Sequence, residues 1–122
     1  MCIRDRPYFE FYEDQFQPLF EGKPESLYAF NIQCMQTVFD ALGVAPEISY
    51  TESYEFTPDP ELYKDYRYLV NAKNQKLPIA FEKYTQVFEN KSGFIENLSI
   101  LDLIFNEGPA AVSYLEKYQD HL

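Results

Sequence analysis

The chain of 122 residues has no tryptophan, one histidine, two cysteines and four glycines. Each scarcity excludes something. Two cysteines cannot build a disulfide framework, and a reducing cytoplasm is the expected compartment, with no signal peptide visible. The single histidine, His121, stands one residue from the end, and Cys34 is the one cysteine beyond the first six residues. That leaves no ligand spacing for a metal, so no metal site is expected. Four glycines supply neither G-x-G-x-x-G nor G-x-x-x-x-G-K, so no phosphate-cradling loop is present and no cofactor is expected. No apolar run approaches the ~20 residues of a membrane span. Basic residues are also few, 10 against 20 acidic ones, for a formal net charge of −10. After residue 6, Arg67 is the only arginine. Nucleic acid is therefore not an expected partner, because phosphate binding needs clustered Lys and Arg.

What the chain does have is rings. Eleven Tyr and eleven Phe make it 18% aromatic. Buried tyrosines with a polar tip suit a wet cleft or an interface. The length is that of one ordinary domain with a modest core.

The first six residues, MCIRDR, correspond to the codons ATG TGT ATA AGA GAC AGR, which read like a sequencing-library adapter. Residues 1–6 are therefore taken as a non-native leader that packs on nothing. Residues 7–122 are expected to be the C-terminal part of a single domain.

Hydrophobic periodicity predicts the elements. Over residues 7–21, Phe9, Tyr12, Phe16, Leu19 and Phe20 recur at spacings of three and four, which predicts a helix with a kink or break at Pro18. Residues 26–42 give the clearest helix, with Ser26 as N-cap, an apolar face of Leu27, Phe30, Cys34 and Val38, and Gly43 as stop. Cys34 is expected to be a buried structural thiol. Residues 47–51 alternate and predict a short strand. Asp59-Pro60 predicts a cap and first helical position for a helix over 61–70 carrying Leu62, Tyr66 and Leu69. Residues 84–88 alternate again and predict a second strand, and 90–93 a turn. Residues 100–106 predict a short helix, and Gly108-Pro109 starts the last one.

Several clusters invite chemistry. Ser99 would need a base to act as a nucleophile, and none is near in sequence. Ser99 and Asp102 have capping-box spacing, with Asp in place of the usual Glu, so Ser99 is expected to cap a helix and do no covalent chemistry. Asn97, Ser99 and Asp102 together could hold a sugar hydroxyl or an acceptor amine. Tyr84, Gln86 and Phe88 share one face of the predicted strand. That face suits either a small polar ligand or burial beside a helix, and a buried Gln86 must find partners. The carboxylate pairs Glu10–Asp14, Glu13–Asp14 and Glu116–Asp120 are expected on solvated helix surfaces.

Two stretches carry a resemblance: PYFEFYEDQFQPLFE at residues 7–21, and YTQVFENKSGFIENLSILDLIFNEGPAAVSYL at residues 84–115. Both resemble the C-terminal part of WbqC-like proteins, a bacterial family associated with surface-polysaccharide synthesis. Asn97, Leu98, Ser99, Asp102, Asn106 and Gly108 match the family's pattern. The resemblance implies an O-antigen or capsule role, with a transferase step on a sugar nucleotide or amino sugar. The alternative is a non-catalytic binding or scaffolding module for polysaccharide enzymes. The substrate-binding set it suggests is Tyr84, Gln86, Asn97, Ser99, Asp102 and Asn106. It also implies that an N-terminal half is missing and is itself a partner. The fold expected is then α+β, a mostly helical piece with two or three short strands completing a sheet from that half. Phe9, Phe11, Tyr12 and Phe16, and the free face of 84–88, are expected to be exposed where it docked.

Overall fold

The computed structural model describes residues 5–67 and 79–119. Contacts divide the chain into two units, Met1–Pro46 with Phe81–Leu122, and Glu47–Ala80.

In the first unit, α1 spans Phe9–Glu21. Its stripe faces inward as the periodicity predicts: Tyr12 and Phe16 are buried. Pro18 does not break the helix, which runs three residues further, and Gly22 N–H donates to the Pro18 carbonyl at 3.1 Å. Proline costs one donor, and so near the helix end only the last turn depends on it.

Helix α2 spans Leu27–Leu42 and has both predicted ends. Ser26 Oγ accepts from Ala29 N–H at 3.1 Å. Gly43 takes φ 68°, and Val44 N–H reaches back to the Phe39 carbonyl at 3.0 Å, the bond that closes a helix on a left-handed residue. The predicted face is buried less than expected. Leu27 is 74% exposed, and Phe30, Cys34 and Val38 are half-buried. Cys34 is thus not the fully buried thiol expected.

The one-turn α3 (Glu89–Ser92) is followed by α4 (Ile100–Glu107), a 3-10 turn over Gly108–Ala110, and α5 (Ala111–Glu116). Tyr12, Phe16, Leu103, Ile104, Phe105 and Ala111 form the core. The Phe105 ring meets Phe9 and Phe16 edge-on, at 5.4 and 5.5 Å between centroids. Edge-to-face pairs of this kind add to the area they bury. Of the α1 rings expected outside, Tyr12 and Phe16 are core and Phe9 is half-buried; Phe11 is exposed.

The α+β expectation is wrong for the described residues, which are helical and contain no strand. Residues 47–51 carry no ladder, and Ile48 and Tyr50 are exposed. Residues 84–88 carry no ladder either, and side chains bond the backbone on both flanks of the stretch. Tyr118 Oη accepts from Glu82 N–H, and Tyr114 Oη donates to the Glu82 carbonyl, both at 2.6 Å. The Gln86 amide pairs with both backbone groups of Ile95.

Of the second unit, residues 47–67, 79 and 80 are described. The helix predicted over 61–70 reduces to a turn in its described part. Asp59 caps it through Glu61 N–H, at 2.9 Å, and its carbonyl accepts from Leu62 and Tyr63. Leu69 lies outside the described residues. Arg67 organises this unit. Its guanidinium makes a forked pair with Asp65, donates to the Glu55 carbonyl at 2.9 Å, and lies 5.1 Å from the Tyr54 ring centroid. Those bonds hold the Asp65 carboxyl at about 2, below its ordinary value. A lowered carboxyl pKa favours the ordered form above about pH 4 and stops doing so as pH falls through about 2. A carboxyl-carbon NMR titration should therefore place the Asp65 midpoint near 2. An ordinary midpoint would show that the fork does not persist in solution.

Candidate functional site

Helix α4 begins as its sequence dictates. Ser99 Oγ accepts from Leu101 N–H at 3.3 Å, and Asp102 N–H donates to the Ser99 carbonyl at 2.8 Å. The cap bond is exposed and long, so Ser99→Ala should lower stability by the lower part of about 0.5–2 kcal/mol, read from a urea midpoint. A larger loss would give Ser99 a second structural duty.

The first turn places Asp102 inward, 6% exposed. Its Oδ1 accepts from Arg6 Nε at 2.9 Å and from a terminal Arg6 nitrogen, and Oδ2 accepts from Tyr84 Oη at 2.7 Å. Two donors on one oxygen and a hydroxyl on the other satisfy a buried carboxylate as its desolvation requires. The Tyr84 hydroxyl is pushed well up, first by burial and then by its bond to the carboxylate. Its ring stands edge-on to Phe94 and Tyr114, at 5.4 and 5.5 Å. One turn along α4, Asn106 Nδ2 donates to the Asp102 carbonyl at 2.8 Å. Asn106 Oδ1 is buried and has no hydrogen-bond partner among the described residues.

Gln86 is 8% exposed, and both ends of its amide are used. Nε2 donates to the Ile95 carbonyl at 2.8 Å, and Oε1 accepts from Ile95 N–H at 2.9 Å. Beside it lies a cleft of about 40 Å³ with Val87, Phe88, Ile95 and Leu98 as apolar walls and Arg6 with Asp102 as the charged part of its lining. That volume holds one or a few water-sized groups.

The six residues proposed from sequence thus divide. Gln86 and Asp102 line the cleft, while Tyr84 and Asn106 bond to Asp102 without lining it. Asn97 and Ser99 are exposed at the turn before α4 and do not line the cleft. Asn97 sits at φ 55°, a left-handed conformation that asparagine tolerates better than most residues. Sequence reasoning missed Arg6. It belongs to the six residues expected to pack on nothing, yet its side chain is 4% exposed and paired with Asp102. Residues 1–4 lie outside the described residues, as does His121.

Among the described residues no three His, Cys, Asp or Glu side chains gather as a metal would need. No helix among them is long and apolar enough to cross a membrane. No curated protein and no solved structure matches the chain. A family model does match, over residues 59–114, a span that carries Tyr84, Gln86, Asp102 and Asn106. That model is the one of the WbqC-like protein family, to which this span of the chain is similar.

Proposed function

We propose that this chain works in bacterial surface-polysaccharide synthesis, of O-antigen or capsule, by binding a nucleotide-linked sugar or an amino sugar. The family match supports the setting. The buried Arg6–Asp102 pair at the wall of the cleft carries the binding reading. A buried ion pair is a poor device for stability alone, because well-packed apolar side chains do as well or better in its place. Its place in a cleft lining fits the orientation of a polar group. A sugar hydroxyl or amine donates well to a carboxylate, and Val87, Phe88 and Leu98 would exclude water around it. The small volume suits a substituent of the sugar and leaves the ring and any nucleotide outside. A transfer step, as the family resemblance implies, would act on that substituent.

One observation favours the second reading, a scaffold that gathers polysaccharide enzymes. Phe11, Phe20, Leu27 and Tyr28 are each between 65% and 78% exposed on α1 and the start of α2. Amide chemical shifts followed during titration with a nucleotide-linked amino sugar separate the two. Binding at the cleft should move Gln86, Ile95 and Asp102, and Asp102→Asn should weaken it at least tenfold. No shift at those residues up to millimolar ligand would end the binding reading and leave the scaffold.

A further inference from the structure

The walls of the cleft and its charged lining belong to different parts of the first unit. Gln86, Val87, Phe88 and Ile95 lie on residues 81–95, whereas Asp102 lies on α4 and Arg6 precedes α1. Among the described residues, no backbone–backbone hydrogen bond joins 81–95 to another element; those it makes are internal, such as Gly93 N–H to the Glu89 carbonyl. What fastens it is side chains. Tyr118 and Tyr114 grip the two backbone groups of Glu82, Phe81 packs on the Tyr118 ring at 5.1 Å, and Tyr84 reaches Asp102. Lys117 pairs with the exposed Glu82 carboxylate, a contact of little weight in water. Gln86 ties the segment to itself at Ile95.

We propose that residues 81–95 are a strap that opens as one unit, with α4 intact, and uncovers the Arg6–Asp102 pair, the tyrosine hydroxyls setting how often it opens. Segments without backbone bonds to their neighbours open at lower free energy than the core helices. The strap lifts Val87, Phe88 and Ile95 while leaving Leu98 and the charged pair on the body, so opening admits a polar group to Asp102. Its role as a gate rests on the binding reading of the same cleft; the opening itself does not.

Hydrogen exchange on the full chain tests it without any ligand, so its failure is distinct from failure of the binding reading. In the native chain, the amide of Glu82 and the Nε–H of Arg6 should exchange faster than the amides of Phe105 and Asn106. Tyr118→Phe keeps the ring and removes the grip. It should speed Glu82 and Arg6 Nε–H together, by about threefold to tenfold, the worth of one hydrogen bond, while Ile95, bonded to Gln86 inside the strap, should not follow them. Phe105 and Asn106 should be unchanged. Tyr114→Phe should do the same, which guards against a folding defect peculiar to one variant. Equal acceleration at every site would mean that the hydroxyls support only global stability, and the strap would be refuted. Acceleration at Glu82 without Arg6 Nε–H would show that the segment does not cover the pair, which overturns the proposal equally.

Discussion

Asp102→Ala should cost about 3–5 kcal/mol of stability, enough to unfold much of the population of a small domain. The reason is what the substitution leaves behind. Arg6, with its side chain 4% exposed, would keep its charge and lose its carboxylate, and Tyr84 Oη would lose its acceptor. Arginine cannot escape by deprotonating. Asp102→Asn keeps the shape and one acceptor oxygen, so it should cost less than alanine. The double change Arg6→Met with Asp102→Leu removes both charges and should recover most of the loss, because apolar side chains of similar volume replace buried pairs at little cost. Tyr84 still lacks its acceptor there, so recovery should not be complete. Urea midpoints at neutral pH measure all three. An unchanged midpoint for Asp102→Ala would mean that Arg6 is solvated in solution.

The sequence made this site half legible, and the division has a physical cause. Asp102 could be found because a helix start is a local signal: Ser99 three residues before it and the apolar run after it fix where it lies. Arg6 could not, because its ion pair spans 96 positions. No local pattern encodes such a pair, and the adapter-like frame argued against looking. Gln86 shows the same limit from the other side. Alternation of Tyr84, Gln86 and Phe88 points to a strand that the structure does not have, and Val87 lines the cleft beside Gln86 and Phe88. Period two does not report whether the backbone has a partner strand, and here tyrosine hydroxyls hold the backbone of Glu82 and the Gln86 amide that of Ile95.

The helices were easier because their ends are chemical. Ser26 and Gly43 bound α2 to the residue, since one supplies an oxygen to an orphan N–H and the other accepts a left-handed φ. Its depth was not legible. A stripe shows which face turns inward, but the share of that face that becomes covered depends on the neighbouring elements, and Leu27 lies beyond them. The α1 stripe illustrates the converse. The spacing of Phe9, Tyr12 and Phe16 was read correctly as one face, then assigned to an absent partner. Phe105, about ninety positions or more away, is what meets Phe9 and Phe16.

Gly108→Ala should be the other costly single change, by about 2–6 kcal/mol, from two separable causes. Gly108 sits at φ 55° and ψ −125°, a region that an L-residue with a Cβ rarely enters. Strain there is worth about 1–3 kcal/mol. The Cβ would also stand 2.6 Å from Tyr8 Cδ1, and no carbon pair tolerates that approach. Overpacking adds about 1–3 kcal/mol where the neighbour cannot retreat. Tyr8 is partly held, because its backbone N–H donates to the Phe105 carbonyl at 2.9 Å, but its ring is 38% exposed and has somewhere to go. A double-mutant cycle with Tyr8→Ala therefore separates the terms. On the Tyr8→Ala background the collision is gone and only the backbone strain remains, so Gly108→Ala should cost about half as much there. If the two costs are equal, the ring swings aside freely and strain is the whole effect. If Gly108→Ala is as stable as the parent, the left-handed turn between α4 and α5 does not exist in solution, and the placement of Phe105 against α1 goes with it.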